Sequence, residues 1–246
     1  MMNFNWTLFF EPTPFGDGIY LNWLLNGAMV TISLAVTAWI IAFIFGSLVG
    51  ICRTLNNRFI RKLAMIYIEV FRNVPLLVQM FLWYMLMPEM LSGPFKTWFV
   101  EELDPNIHSF VLASFALGLF TSARIAEQVR TGIQTLPAGQ KYAAKALGLS
   151  NVQTYWYILL PNAYRKIVPT LTSEMTNIIK NSSVASTIGL IDLIGQIDRI
   201  NESTNSIVEI LCGVSIAFII INYSVITIMR IVEKKTRLPN MMASGG

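Results

Sequence analysis

Three charged side chains follow one another at three-residue spacing inside a stretch that is otherwise apolar. The segment TSARIAEQVR carries Arg124, Glu127 and Arg130, so on a helix the three side chains are neighbours on one surface. Residues 109–123, which precede Arg124, include no charged side chain. At 1.5 Å per residue, Arg124 therefore lies about 22 Å from the start of such a helix. One carboxylate cannot neutralise two guanidinium groups, so a net positive charge remains.

The position of Arg124 allows two kinds of chemistry. Arg130 is close enough to the end of the apolar stretch to snorkel toward water, whereas Arg124 needs a partner among the helices. That partner is either a carboxylate of the chain, Glu127 or Glu174, in a structural ion pair, or an anionic ligand. A guanidinium group can pair with a carboxylate through two parallel hydrogen bonds, which favours acidic ligands.

A second group of polar side chains interrupts an apolar stretch further along the chain. The segment AYRKIVPTLTSEMTNIIKN, residues 163–181, contains Glu174, Asn177 and Lys180 together with several Thr and Ser residues. An ionisable group inside a bilayer costs about 2.5 to 3.5 kcal/mol on insertion scales, so such groups usually face a bundle interior or a wet path. We expect this helix to line a pathway. The alternative is that its hydroxyl and amide groups only join helices by hydrogen bonds.

A third irregular point is the segment EVFRNVPLLVQ, residues 69–79. Pro75 removes a backbone donor, so we expect a kink or a break there. Polar side chains beside freed carbonyl groups form ligand sites in broken membrane helices, which makes Arg72 a candidate for such a site. The alternatives are a local ion pair between Glu69 and Arg72, which are three residues apart, and an Arg72 side chain that snorkels to water.

Residues for metal or nucleophilic chemistry are sparse. His108 is the only histidine, and Cys52 and Cys212 match no zinc or redox spacing. No nucleophile has a base at a recognisable spacing, and the phosphate-binding pattern GxxxxGK[ST] does not occur. We therefore predict no metal site, no bound cofactor and no enzymatic chemistry in this chain.

The polar points lie among segments long enough to cross a bilayer. The chain is 54% hydrophobic and 13% charged, with a mean hydropathy of +0.56, and no charged side chain occurs between Asp17 and Arg53. A spanning helix needs about 20 predominantly apolar residues. We predict an all-α polytopic membrane protein with five crossings, near residues 24–52, 63–88, 109–129, 164–181 and 207–231.

Basic side chains are concentrated on one side of these crossings. Thirteen of the eighteen Lys and Arg residues fall in the first and third loops, in the first residues of the fourth crossing, or at and after the end of the last crossing. Loops rich in Lys and Arg favour the cytoplasm, so we predict a periplasmic amino terminus and a cytoplasmic carboxyl terminus. These basic residues, whose excess gives the chain its net charge of +4, surround one face of the membrane. No nucleic-acid partner is therefore expected.

The predicted organisation is one membrane domain, residues 21–235, between two short ends. Residues 1–20 hold several aromatic side chains and no basic residue. A cleaved signal peptide needs a positive region before its apolar one, so none is expected. The segment either rests at the membrane interface or frays. Residues 236–246 are predicted to form a cytoplasmic tail.

The segment KYAAKALGLSNVQTYWYILLP, residues 141–161, is too polar to cross a bilayer. Its alanine-rich start favours a helix, and Gly148 suits the left-handed cap that ends one. Ser150 and Gln153 form a capping box for a second short helix, which Pro161 is expected to end. We predict two short helices joined by a glycine elbow, whose Ala, Leu, Tyr and Trp side chains dock into a groove of a partner.

This elbow resembles that of a known family, the membrane-spanning subunits of ATP-binding-cassette (ABC) importers. Their cytoplasmic signature is Glu-Ala-Ala, three residues, Gly, nine residues, Ile, one residue, Leu-Pro. Tyr142 replaces the glutamate here. The matching positions are Ala143, Ala144, Gly148, Ile158, Leu160 and Pro161. The resemblance implies that these residues, in the coupling region 137–161, connect the permease to an ATPase.

The resemblance covers nearly the whole chain. EVFRNVPLLVQ and IKNSSVASTIGL are similar to blocks of the polar amino-acid uptake permeases. TAWIIAFIFGSLVGICRT, ELDPNI and TRLPNMM are closer to the glutamate/aspartate importer permeases of Gram-negative bacteria. Many amino-acid permeases of the family have an aromatic residue at the position of Arg124, so an arginine there fits an anionic substrate. The resemblance thus implies import of polar amino acids, with acidic ones favoured.

The resemblance also implies the partners and the location. A type I importer of the bacterial inner membrane pairs two five-helix permease subunits with two cytoplasmic ATP-binding subunits, and a periplasmic binding protein delivers the amino acid. ATP and Mg²⁺ would be used by the ATP-binding subunits. The second permease is either a copy of this chain or a related chain, and the resemblance favours a related chain.

The candidate residues of the substrate pathway are Arg72, Arg124, Glu127, Glu174, Asn177 and Lys180. The alternative function is a proton-coupled secondary amino-acid transporter, in which Glu127, Glu174 and Lys180 would relay protons. Five crossings without an inverted repeat are unusual for such a carrier, so the importer is the preferred interpretation.

Overall fold

The computed structural model describes residues 5–236, and the regular elements in that part of the chain are helices. In chain order they are α1 (Tyr20–Cys52), α2 (Arg58–Asn73), α3 (Leu76–Met90), α4 (Gly93–Thr97), α5 (Pro105–Gln134), α6 (Ala138–Ala146), α7 (Asn151–Gln153), α8 (Leu160–Ser182), α9 (Gly195–Thr204) and α10 (Ile207–Thr236). The predicted all-α class is confirmed.

Three of the described helices, α1, α5 and α10, are long and apolar enough to cross a membrane. They contain the crossings predicted at 24–52, 109–129 and 207–231. The crossing predicted at 63–88 consists of α2 and α3, which are bent by 106° at a short break. The expected break at Pro75 is therefore confirmed: Val74 before the proline is extended, because the proline ring disfavours helical geometry there.

The crossing predicted at 164–181 falls within α8, whose 23 residues are long enough to span. Because of its charged and polar side chains, α8 is not among the described helices whose composition is apolar enough to cross a membrane. The chain continues from α8 into a 3-10 turn, Ser183–Ile188, which ends at Gly189 with φ +84°. A residue with a Cβ would be strained in that left-handed conformation.

The described chain divides into two compact units. The first comprises the residues up to Ile40, Pro75–Gly118 and Asn177–Ser224. The second comprises Ile41–Val74, Leu119–Thr176 and the residues from Val225 on. The tail predicted at 236–246 lies, apart from Thr236, outside the described residues.

Two glycines bring α1 and α5 together in the second unit. A Cβ on Gly46 would approach the carbonyl oxygen of Ser122 to 2.7 Å, and one on Gly50 would approach that of Ala126 to 2.6 Å. The motif GSLVG has the GxxxG spacing by which membrane helices approach closely. This contact determines which face of α5 packs on α1. On the other faces of α5 lie the charged side chains Arg124, Glu127 and Arg130.

The segment before α1 folds onto the first unit. Leu8 is buried, and the amide of Asn5 donates to Oε1 of the buried Glu209 at the start of α10, at 2.7 Å. The ring of Phe9 packs on Gly213, where a Cβ would come within 2.3 Å of it. Trp6, Phe10 and Phe15, in contrast, are mostly exposed. Residues 5–19 are thus ordered on α10 rather than frayed.

Candidate functional site

The elbow predicted at Gly148 is present in the structure. Gly148 has φ +78°, and its amide donates to the carbonyl of Lys145 while the amide of Leu149 donates to that of Ala144. These two bonds satisfy the last carbonyl groups of α6 in the manner of a Schellman cap. A Cβ at Gly148 would meet no atom within 4 Å, so the glycine is required by the backbone angle and not by space.

The capping box that follows the elbow is also confirmed. Ser150 Oγ accepts the amide hydrogen of Gln153, and the side-chain oxygen of Gln153 accepts that of Ser150 at 2.8 Å. The prediction that Pro161 ends the second helix is wrong. Helical backbone continues through residues 151–182, because a π turn, Thr154–Leu159, precedes the proline. Pro161 is the second residue of α8 and has no amide hydrogen, so no donor is left unpaired where the π turn passes into the α-helix.

The six positions of the importer signature differ in exposure. Ala144 and Leu160 are buried, Ile158 is half-buried, and Ala143, Gly148 and Pro161 are exposed. Ala144 and Leu160 therefore pack inside the elbow region and do not form part of its surface. The large exposed side chains of the same region are Tyr142, Leu147, Val152, Trp156 and Tyr157, each at least 66% exposed. An apolar patch of this kind on a short elbow is typical of a docking surface.

A tyrosine ties the elbow to the loop between α1 and α2. The hydroxyl of Tyr155 donates to the carbonyl of Thr54 at 3.1 Å and lies 3.0 Å from its Oγ1. Further along, the ammonium group of Lys166 donates to the carbonyl of Thr135, just after α5, at 3.2 Å. These hydrogen bonds join the elbow to the chain just after α1, and the start of α8 to the chain just after α5. Nothing in the spacing of the sequence indicated Tyr155 for this role.

The structure brings Arg124 of α5 and Glu174 of α8 together. The guanidinium Nη1 of Arg124 lies 3.6 Å from Oε2 of Glu174, which is an ion pair beyond hydrogen-bond distance. Glu174 is 9% exposed, and its Oε1 accepts a hydrogen bond from Nε2 of Gln128 at 3.0 Å. The Arg124 side chain keeps 41% of its surface exposed and lies over the ring of Phe120. Its guanidinium group therefore retains free faces for a further carboxylate.

Glu127 pairs with the other arginine of the cluster. Its carboxylate accepts two hydrogen bonds from Arg130, one of them at 2.9 Å from Nε, and Arg130 also donates to Gln134. The structural ion pair between Arg124 and Glu127 that the spacing allowed is not formed in the described chain. The reason is that Arg130 reaches Glu127 with both nitrogens of its fork, while Arg124 points to α8.

One face of α8 is polar and exposed along its whole length. Asn177 is half-buried beside it. The exposed positions between Lys166 and Ser173 recur at helical spacing, and Lys180 is exposed two turns further on; the positions are Lys166, Pro169, Thr170, Ser173 and Lys180. Such a face cannot lie against lipid without cost, because the hydrocarbon offers no hydrogen-bond partners. This exposed face fits the pathway that the composition of the helix predicts.

Arg72 lies at the end of α2, beside the break before Pro75, and its side chain is exposed. The local ion pair of Arg72 with Glu69 is not formed among the described residues. Glu69 instead accepts a hydrogen bond from Nδ2 of Asn73 at 3.1 Å. Within the described residues no group of three or more His, Cys, Asp or Glu side chains is placed to hold a metal ion.

The helical fold, the elbow and the polar face of α8 define a membrane permease. The chain matches, over residues 42–238, the family described as "Binding-protein-dependent transport system inner membrane component", and it belongs to that family. It is 49% identical over 241 residues to the glutamate/aspartate import permease protein GltJ of Escherichia coli (strain K12), with 98% of each chain covered. It is also 27% identical over 237 residues to GltK, a glutamate/aspartate import permease protein of Escherichia coli O157:H7.

Solved structures of transporters share the fold. A crystal structure of an amino acid ABC transporter with histidines matches with a TM-score of 0.74 and 28% identity, covering 88% of this chain and 95% of the other. The MetNI methionine ABC transporter matches with a TM-score of 0.73 at 17% identity, which shows a common fold. The family inferred from the elbow is thereby confirmed, and a secondary carrier is not favoured.

Proposed function

We propose that this chain is the permease subunit of an ATP-driven importer that moves acidic amino acids, glutamate and aspartate, from the periplasm to the cytoplasm. The observation that carries the choice of substrate is the partly exposed side chain of Arg124, whose guanidinium group lies 3.6 Å from Glu174 on the pathway helix α8. A second carboxylate can approach this cation without breaking a hydrogen bond between the two side chains. The 49% identity with GltJ over 98% of the chain supports the same substrate class.

The proposed complex contains three other kinds of subunit. Two cytoplasmic ATP-binding subunits use ATP and Mg²⁺, a second and related permease completes the pathway, and a periplasmic binding protein supplies the amino acid. The similarity to GltK as well as to GltJ supports a pair of related permeases. The exposed aromatic patch of the elbow would dock on the ATP-binding subunits. ATP binding would pull the elbows together and open the pathway outward, and hydrolysis would reset it.

The proposed substrate class is tested by ATPase stimulation of the reconstituted complex. The complex and its binding protein are incubated with a panel of acidic, amide, basic and apolar amino acids. Glutamate and aspartate are expected to stimulate ATP hydrolysis several-fold, because Arg124 discriminates carboxylate side chains from neutral ones. Glutamine, which has the same shape as glutamate without the charge, is the matched control. Equal stimulation by glutamine and glutamate would rule out selection for the acidic side chain.

The proposed orientation places the elbow and the carboxyl terminus in the cytoplasm. The excess of basic side chains in the corresponding loops supports this orientation. A reporter that is active only in the cytoplasm is expected to work when inserted near Gly148 or fused after Gly246. A reporter that needs the periplasm is expected to work only when inserted near Asp104, in the loop before α5. The reverse pattern would overturn the orientation and leave the family assignment intact.

A further inference from the structure

Helix α2 packs on α5 with one of its faces. Ala64 and Ile68 are buried, and the hydroxyl group of Tyr67 lies 2.6 Å from Oγ of Ser122 in α5. The neighbouring face of α2 is an apolar stripe whose large side chains are 48% to 70% exposed. The stripe consists of Phe59, Leu63, Ile66 and Val70. The rest of the described chain thus leaves this second face largely uncovered.

The apolar stripe has the length of one leaflet of a bilayer. Its residues are four, three and four positions apart, so they form a continuous row along the helix. From Phe59 to Val70 the row extends over eleven positions, which is about 16 Å. The hydrocarbon core of a bilayer is about 30 Å thick, so one leaflet contributes about half of that thickness. The acyl chains of a single leaflet can therefore cover the stripe from end to end.

Two cations lie beside the start of the stripe. Arg58 and Lys62 are exposed and four positions apart, and Lys62 is three positions after Phe59, so the three side chains are neighbours on the helix surface. None of the ion pairs in the described chain involves Arg58 or Lys62. The sequence also has no acidic residue between Asp17 and Glu69. Within the described residues the start of α2 therefore carries uncompensated positive charge.

The contact of α1 with α5 indicates the depth of α2. A Cβ on Gly46 would approach the carbonyl oxygen of Ser122 to 2.7 Å, so these two residues lie at the same level. Gly46 is six positions, about 9 Å, before Cys52, where α1 and the charge-free run of the chain both end. The hydroxyl of Tyr67, which contacts Ser122, therefore lies inside the hydrocarbon layer. Arg58 begins α2 only six positions after Cys52, close to the boundary of that layer.

We propose that α2 is a binding surface for a phospholipid with an anionic headgroup, whose phosphate group lies between Arg58 and Lys62 and whose acyl chains lie on the apolar stripe. Anionic lipids attract basic residues at the membrane surface, and an amphipathic helix buries its apolar face among the acyl chains. The site lies in the leaflet nearest the elbow, because Tyr155 bonds to the loop between α1 and α2. The inference does not depend on the proposed substrate.

Other occupants fit the surface less well. A cytoplasmic subunit does not reach side chains that lie in the hydrocarbon layer. A second copy of this chain would bring the same positive charges to the same level, and like charges repel. Free phosphate would pair with the two cations but would leave the apolar stripe uncovered. A lipid supplies both the anion at the boundary and the apolar chains beyond it.

The test is a lipid titration of the assembled transporter in detergent, followed by native mass spectrometry. The probes are phosphatidylglycerol, phosphatidylcholine, which has no net charge, and glycerol phosphate, which has no acyl chains. The wild type is expected to bind phosphatidylglycerol at least about tenfold more tightly than either of the other probes, because only phosphatidylglycerol has both parts. More salt is expected to weaken this preference, since salt screens surface charges.

Variants of α2 locate the site. Lys62→Gln is expected to weaken phosphatidylglycerol binding about fivefold, and Lys62→Gln combined with Arg58→Gln about thirtyfold. Lys62→Arg keeps the charge and is expected to bind as the wild type does. Arg61→Gln is the matched control, because Arg61 is exposed in the same turn but two positions from Phe59, so it does not face the stripe.

Four results would overturn the lipid site. Equal binding of phosphatidylglycerol and phosphatidylcholine by the wild type would do so without any variant. Binding of glycerol phosphate as tightly as phosphatidylglycerol would assign the cations to a free anion. Equal losses in Lys62→Gln and Arg61→Gln would show a diffuse charge effect and no site beside the stripe. Loss of another subunit from the double variant with unchanged lipid binding would assign the surface to a protein partner.

Discussion

Replacement of Arg124 by Gln is expected to lower ATP-driven uptake of acidic amino acids by about tenfold or more. The substitution removes the guanidinium group that faces Glu174 at 3.6 Å and leaves a shorter, uncharged polar side chain. Uptake is expected to fall more than complex assembly or basal ATPase activity, because we propose that the exposed part of Arg124 contacts the substrate. Arg130→Gln is the matched control, since it removes the same charge from the same helix but from the pair with Glu127.

A structural role of Arg124 is separated from a substrate role by a double variant. Arg124→Gln alone removes the cation 3.6 Å from the mostly buried carboxylate of Glu174, and breaking a buried ion pair by removing one member is destabilising. Arg124→Gln combined with Glu174→Gln removes both charges and is expected to restore assembly while uptake stays low. Recovery of uptake together with assembly in the double variant would show that Arg124 only neutralises Glu174.

Replacement of Gly148 by Val is expected to uncouple ATP hydrolysis from transport, with uptake reduced about tenfold. Gly148 has φ +78°, a conformation that costs a residue with a Cβ about 1 to 2 kcal/mol. A Cβ at this position would meet no atom within 4 Å, so we expect the strain to act mainly on the backbone of the elbow. Membrane insertion and the amount of permease are expected to remain normal, as measured by quantitative blotting of membranes.

Gly139→Val is the matched control for the elbow. Gly139 lies in α6 of the same region, also has no atom within 4 Å of a Cβ, and does not have a positive φ. Its valine variant adds the same side chain without the left-handed strain, so coupling is expected to stay close to the wild type. Normal uptake in Gly148→Val, or equal losses in the two variants, would refute the role assigned to the glycine cap.

The elements that the sequence predicts well depend on local chemistry. The glycine cap at Gly148 and the capping box of Ser150 involve residues within a few positions of each other, so their types and spacing are sufficient. The same is true of the break at Pro75, which follows from a missing amide hydrogen. Hydropathy locates α1, α5 and α10, because a long apolar run has no other stable environment than a bilayer or a protein core.

The role of Pro161 depends on a backbone register that composition does not reveal. A proline after an aromatic run usually marks a helix end, but the amide of Leu160 donates five residues back to Tyr155 in a π turn. The helix can then continue at Pro161 without an unpaired amide hydrogen. The exposure of Tyr142 and Trp156, and the bond of Tyr155 to Thr54, likewise depend on how the turn is rotated.

The partners of the charged side chains depend on packing between helices. Glu127 is three residues from both Arg124 and Arg130, and spacing alone cannot choose between them. In the structure Arg130 pairs with Glu127 and Arg124 with Glu174 of α8, a choice that requires the position of a second helix. The GxxxG spacing in the segment GSLVG of α1 indicates a close contact between helices. It does not indicate which helix is the partner or which face of that helix is contacted.

ATP-dependent accumulation of glutamate by the purified complex tests the assignment as an importer most directly. Proteoliposomes containing both permeases and the ATP-binding subunits receive the binding protein and labelled glutamate, with ATP or with an imposed proton gradient as the energy source. We expect accumulation with ATP and Mg²⁺, dependence on the binding protein, and none with the gradient alone. Uptake driven by the proton gradient without ATP would contradict the assignment and support a secondary carrier.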